Sequence, residues 1–262
     1  TSTCTMEDLL RRILRMTPDR IVVALCGSID PAVIRQLSER FSALPSGIAP
    51  DSEQGVYVPA VYFKKKATEQ NHICLGFRGA KATEPARFSD HLMSSILGGG
   101  MSSRLFQSVR EKHGLCYSVS SFASAFSDTG FFGVATALDR EKDRRALALI
   151  LDELDRLRQE GVTESELERA REQTKSNIVI GLESSAARMN RLGYGDLFLG
   201  RSMDAGELLA QYDAVTREDV LASARRLLDP KTLSFSAVGR LSPREDYLKL
   251  LQSHSEIAFP LL

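Results

Sequence analysis

The stretch from Gly98 to Tyr117, GGGMSSRLFQSVREKHGLCY, sets a cation and a phenol on either side of a glycine stop. These are the side chains of the sequence best suited to chemistry. The Arg110 guanidinium keeps its charge throughout the working pH range, and the Tyr117 phenol keeps its proton to about pH 10. Both are therefore hydrogen-bond donors at neutral pH, and donors of that kind hold negative charge. Residue type and spacing leave a plainer reading open beside this one, in which Arg110 is a solvated helix residue and Tyr117 a half-buried strand residue.

Other chemistries find less support. The histidines are His72, His91, His113 and His254, and no two stand three to five residues apart, as a helical metal motif needs. His72 and Cys74 share a strand face, but a pair of ligands reads as core and edge before it reads as metal. No self-contained zinc site can be built from these residues. Cys4, Cys26, Cys74 and Cys116 are scattered, three of them in apolar segments, and read as small hydrophobes in a reducing compartment. The run GGGMSSR lacks the Gly-Lys-Ser/Thr ending of a phosphate cradle and no strand directly precedes it. Gly98, Gly99 and Gly100 are left as either a loop bordering a substrate cleft or a bend between helices.

The elements that would position Arg110 and Tyr117 follow from apolar periodicity. Ser102 to Lys112 places Leu105, Phe106 and Val109 at helical spacing, with Leu105 and Phe106 expected in the core. His113 and Gly114 end that helix. The strand CYSVSSFASAF follows, and GFFGVATAL (130–138) pairs with it across a turn at Ser127-Asp128-Thr129-Gly130. Before the site, VYVPAVYFKKK is a strand whose Pro59 puts its start at a sheet edge, HICLGF is a second strand, and Glu84 to Leu97 a helix. After it, helices run from Lys142 and from Thr163, the latter opened by a capping box with Glu166, and helical segments continue to Leu228. Strand KTLSFSAVG and a helix from Pro243 close the chain.

Composition bounds the function. Lys plus Arg equals Asp plus Glu at 34 each, so no net field argues for nucleic acid or an anionic membrane. The longest apolar runs, such as IVVALC, are strand-length, far below the roughly 20 residues that span a bilayer. No charged start followed by an apolar stretch marks a signal peptide. The expected compartment is the cytoplasm.

PSGIAPDSEQG (45–55) is the best domain linker. Ahead of it lie a helix opened by Thr5 and Asp8, with Leu9, Leu10, Ile13 and Leu14 on one face, a breaker at Thr17-Pro18-Asp19, a buried strand RIVVALCG, and a helix from Asp30-Pro31 to Phe41. This order returns near the other end: Thr5, Glu7, Asp8, Leu10 and Arg15 match Thr216, Glu218, Asp219, Leu221 and Arg226, and Gly27 matches Gly239. A duplicated domain is expected, with residues 1–45 the end of a truncated first copy, 46–54 the linker and 55–262 a complete second copy.

GGGMSSRLFQSVREKHGLCYSVSS, with TGFFGVATAL after it, resembles the second-domain signature of the M16 (pitrilysin or insulinase type) zinc peptidases, the bacterial processing-peptidase branch above all. The resemblance implies an α+β fold: an antiparallel sheet with helices packed on one face, present twice and closing around a peptide. It also implies an H-x-x-E-H zinc motif in the first domain, which nothing here matches. Zinc is therefore expected outside this chain, in an absent amino-terminal half or in a zinc-bearing partner of the same family.

The family's second domain contributes an Arg and a Tyr that reach the bound peptide, and here they match Arg110 and Tyr117 as catalytic residues. Attack on a peptide carbonyl creates an oxyanion, and one pre-placed donor there is worth on the order of 10²–10³ in rate. The expected function is the substrate-clamping half of a zinc endopeptidase, inactive alone, with Gly98, Gly99 and Gly100 beside the substrate. A non-catalytic partner or scaffold subunit of a processing-peptidase-like complex is the alternative. Peptide substrate and a possible dimer are the expected partners, with no nucleic acid and no membrane.

Overall fold

A computed structural model describes residues 5–6, 21–44 and 55–254. The expected helix after Thr5, the breaker at Thr17-Pro18-Asp19 and most of the linker lie outside the described residues. The chain divides into two compact units, one drawn from Thr1–Glu53 with Ser176–Leu208, the other from Gln54–Lys175 with Leu209–Leu262.

The larger unit holds a five-stranded sheet: β1 (Val61–Lys65), β2 (Asn71–Arg78), β3 (Cys116–Ala125), β4 (Gly130–Leu138) and β5 (Ser234–Gly239), in the order β1-β5-β2-β4-β3. The α+β architecture expected from sequence is present. The sheet itself is mixed, because β1 runs parallel to β5 while β2–β4, β2–β5 and β3–β4 are antiparallel. Strands one after another in a hairpin pair antiparallel, whereas β1 and β5 come from opposite ends of the domain and nothing ties their directions. Pro59 lies just ahead of β1, which is an edge strand, where a residue without an N–H costs no ladder bond.

One face of the sheet is buried. Ile73, Leu75 and Phe77 of β2 alternate into the core beside Phe132 and Val134 of β4 and Phe235 and Ala237 of β5. The period-2 pattern of these strands dictates that face. Apolar residues of α2 (Arg87–Gly98), among them Leu92, Met93 and Leu97, and of α3 (Asp143–Glu160), among them Leu147, Ile150 and Leu157, are equally buried. Each such side chain contributes roughly 1.5–3 kcal/mol by leaving water. Helix α4 (Glu164–Gly181) starts at the expected capping box: the Thr163 N–H donates to Glu166 Oε2 at 2.8 Å and the Glu166 N–H to Thr163 Oγ1 at 3.3 Å. The opposite sheet face keeps His72 and Ser120 exposed and Cys74, Ser234 and Ser236 half-buried.

Asp143, at the start of α3, is fully buried and, among the described residues, without a cation. Its carboxylate accepts from Asn71 Nδ2 at 2.9 Å and from the Tyr247 hydroxyl, with Ser242 Oγ at 3.5 Å. Tyr247 lies on the last helix, Arg244–His254, so three side-chain donors tie β2, α3 and the chain end to one carboxylate. Burial first, and the bond to Asp143 second, push the Tyr247 phenol well above its ordinary value.

In the smaller unit, α1 (Pro31–Ser42) is capped by Asp30 as its sequence directs, the Ala32 N–H donating to Oδ1 at 2.8 Å, but it buries no residue. The expected buried strand at 20–27 is a correction. Residues 21–26 form no strand, and Val22, Val23 and Leu25 are exposed. A strand needs a neighbour, and among the described residues none pairs with it. Helix α5 (Ser185–Leu199), capped by Ser184, belongs to this unit, with Gly193 beside Ala24. That grouping of residues 176–208 with the first segment was not expected from sequence.

Candidate functional site

The glycine run divides between packing and openness. Gly98 is the last residue of α2 and is buried. A Cβ there would overlap the Ser121 backbone nitrogen of β3, with Ser121 Oγ 2.8 Å away. Ser121 Oγ also donates to the Ser94 carbonyl at 2.6 Å, so helix and edge strand meet through small residues. Gly99 caps the helix, its N–H on the Ser95 carbonyl at 3.0 Å. Gly100 is exposed, and a Cβ there would meet only Gln173 Nε2, at 4.0 Å. The exposed part of the run is therefore Gly99 and Gly100.

Arg104 then anchors the descending chain. Its Nε and Nη2 bond the Glu166 carboxylate at 2.7 and 2.8 Å, and Nη2 also reaches the Gly161 carbonyl at 2.8 Å. Burial alone would raise the Glu166 carboxyl, but the hydrogen bonds from Arg104 and from the Thr163 amide, with the Arg104 charge, outweigh it and hold it down at about 2.

Arg110 does not sit on a regular α-helix. Phe106–Glu111 is a π-helical turn, in which the Lys112 N–H donates to the Gln107 carbonyl, five residues back, at 3.0 Å. The freed Ser108 carbonyl accepts from His113 Nδ1 at 2.6 Å, so that ring nitrogen carries the proton. Gly114 ends the turn at φ +57°, its N–H on the Arg110 carbonyl at 2.8 Å. Leu105 is fully buried as expected and Val109 with it, but Phe106, also expected in the core, is only half-buried. The Phe106 ring lies 4.8 Å from the Arg110 guanidinium carbon.

Tyr117 sits at a second irregularity. Cys116 pairs with Leu138 and Ser118 with Ala137, so two steps along β3 answer to one along β4 and Tyr117 is the unpaired extra residue of a bulge. Its ring is 5.9 Å from the Arg110 guanidinium carbon, and the residue is 71% exposed. The guanidinium is thus near two aromatic rings, Phe106 and Tyr117. Among the described residues, neither its N–H groups nor the Tyr117 hydroxyl has a hydrogen-bond or ion-pair partner. The charge is also felt at Cys116: burial raises that thiol, while Thr136 and Arg110 pull the other way.

The four histidines behave separately. His91 bonds the Tyr212 hydroxyl at 2.9 Å, His113 caps the π turn, His254 bonds Asp155 at 2.6 Å, and His72 lies on the open sheet face. Among the described residues, no group of three or more His, Cys, Asp or Glu side chains could hold a metal ion. The donors among the described residues do not fit a zinc ion. No helix among them is long and apolar enough to cross a membrane.

A model of the peptidase M16 inactive domain matches residues 4–174. The chain belongs to the M16 peptidase family. An uncharacterized zinc protease of Streptomyces coelicolor is 37% identical over 252 residues, covering 91% of this chain and 54% of that protein. The uncharacterized zinc protease YmxG of Bacillus subtilis is 34% identical over 223 residues, with 84% and 54% covered. This M16 chain therefore spans about half the length of these relatives. A crystal structure of a peptidase M16 inactive domain from Pseudomonas fluorescens superimposes with a TM-score of 0.81 at 24% identity, over 92% of this chain and 60% of that one. At that identity the likeness speaks for the fold, the α+β arrangement described above.

Of the residues singled out from sequence, the structure brings Arg110 and Tyr117 together and leaves Gly99 and Gly100 open nearby in the chain. It adds Phe106, which sequence reasoning assigned to the core. The Phe106-x-x-x-Arg110 spacing was a signal for it, since residues four apart on a helix meet.

Proposed function

We propose that this chain is the substrate-clamping half of an M16-type zinc endopeptidase, with Arg110 and Tyr117 donating hydrogen bonds to the oxyanion that forms when a peptide carbonyl is attacked. The supporting observation is that two one-residue irregularities, the π turn and the bulge, flank a guanidinium and a phenol set side by side, with their donors unspent among the described residues. Irregular turns and bulges of this kind gather at functional sites because they re-aim side chains. Pre-placed donors need no reorganisation as charge develops, which is where their catalytic worth lies.

The metal, and the chemistry of activating the attacking water, belong in this reading to residues outside the chain, in the same polypeptide or in a partner. The exposed Val22, Val23 and Leu25, strand-like in composition but without a strand to pair with among the described residues, favour the same reading. So does the half-length match to the relatives.

The test joins this chain to a zinc-bearing M16 half and follows a quenched fluorogenic peptide. Tyr117→Phe is expected to lower kcat by roughly 10²-fold with little change in KM. An unchanged kcat would remove Tyr117 from the mechanism. The chain alone is expected to bind no stoichiometric zinc and cleave nothing; chelator-sensitive cleavage by it would overturn the division of labour. Wild-type assembly without turnover, but with peptide retained, favours the scaffold reading.

A further inference from the structure

We propose that Phe106 is the positioning residue of Arg110, holding the guanidinium by its flat face so that its N–H edge stays free for substrate. The inference rests on the role given to Arg110 above. A flexible arginine can be held in two ways. A carboxylate would grip the N–H groups and so consume the donors the site needs. An aromatic ring grips the face of the cation and leaves every N–H available. Arg110 has only the second kind of support: Phe106 at 4.8 Å and Tyr117 at 5.9 Å from its central carbon, with no ion pair among the described residues. Arg104, six residues earlier, has the first kind, two nitrogens on Glu166, and is an anchor. The two arginines of one short helical stretch are thus handled oppositely.

Phe106 is suited to the task because its neighbours fix it. Leu105 and Val109 are fully buried beside it, and the π turn that begins at Phe106 also carries Arg110. Tyr117 cannot serve alone: it is the more distant ring, 71% exposed, and its hydroxyl has its own part in the proposed chemistry.

The first arm of the test needs this chain only. The Arg110 Nε–Hε signal, assigned by its loss in Arg110→Lys, is expected to shift to a solvent-exposed arginine position in Phe106→Leu and to stay shifted by ring current in Phe106→Trp. Should Phe106→Leu unfold the chain, Phe106→Met removes the ring at similar length. The second arm uses the assembly with a zinc-bearing half and a fluorogenic peptide. Phe106→Leu is expected to lower kcat roughly tenfold, Phe106→Trp to restore it, and Phe106→Leu to cost nothing further in an Arg110→Lys background. An unmoved Arg110 signal, an unchanged kcat, or losses that multiply in the double variant would each overturn the proposal while leaving the role of Arg110 standing. An Arg110→Lys variant with full turnover would overturn that role and this inference with it.

Discussion

Arg104, just ahead of the π turn, and Glu166, in the first turn of α4, are joined by two bonds of 2.7 and 2.8 Å. Glu166 is at the same time the closing residue of the capping box that Thr163 opens at the start of α4. One carboxylate therefore starts a helix and anchors the segment that carries Arg110, with side-chain exposures of only 15% and 17% across the pair.

This pair predicts an acid-sensitive stability. The Glu166 carboxyl is depressed from 4.5 to about 2 in the folded chain, so its contribution is complete above about pH 4.5 and is lost as pH falls from there toward 2. Allowing for solvent screening, the loss is roughly 1–2 kcal/mol. Urea unfolding at pH 6 and pH 3 should show a smaller drop in Glu166→Gln than in the wild type. Equal drops would mean that Glu166 is not held down.

Gly98 and Gly100 should respond oppositely to a single methyl group. Gly98→Ala drives a Cβ into the backbone of β3 and should cost about 1–3 kcal/mol. Gly100→Ala meets open space and should stay within about 0.5 kcal/mol. Thermal unfolding of the two variants gives the comparison, and equal melting points would contradict the packing described at Gly98.

Tyr117→Phe should leave stability unchanged within about 0.5 kcal/mol, since the hydroxyl it removes is exposed and has no partner among the described residues. A clear drop in Tm would reveal a structural role and undermine any use of the variant as a probe of catalysis.

Tyr247→Phe is the opposite case. It takes one of the donors from a fully buried carboxylate and should destabilise the chain by about 1–3 kcal/mol. A neutral result would show that Asp143 is satisfied without it.

What could be read in advance, and what could not, divides along physical lines. The capping box at Thr163, the Asp30 cap, the hairpin of β3 and β4 and the edge position of β1 are local matters, encoded within a few residues, and all are present. The parallel pairing of β1 with β5 joins residues from opposite ends of the domain, and no local pattern signals it. RIVVALCG has the composition of a buried strand, but composition does not supply a partner, and residues 21–26 form none. At the site, Leu105 and Val109 are fully buried, while Phe106 is only half-buried beside Arg110, because apolar spacing does not distinguish a ring in the core from one facing a cation. The neighbourhood of Arg110 and Tyr117 was visible as residue types; their mutual approach depends on two insertions that periodicity treats as noise.

Those insertions make the arrangement a property of chain length as much as of side-chain identity. Deleting one residue from the π turn would restore an α-helical period, and deleting one from the bulge would bring β3 back into step with β4. Neither deletion needs to touch Leu105, Val109 or the buried strand face. An evolving lineage could thus silence or revive this surface by a single codon gained or lost, with its core intact.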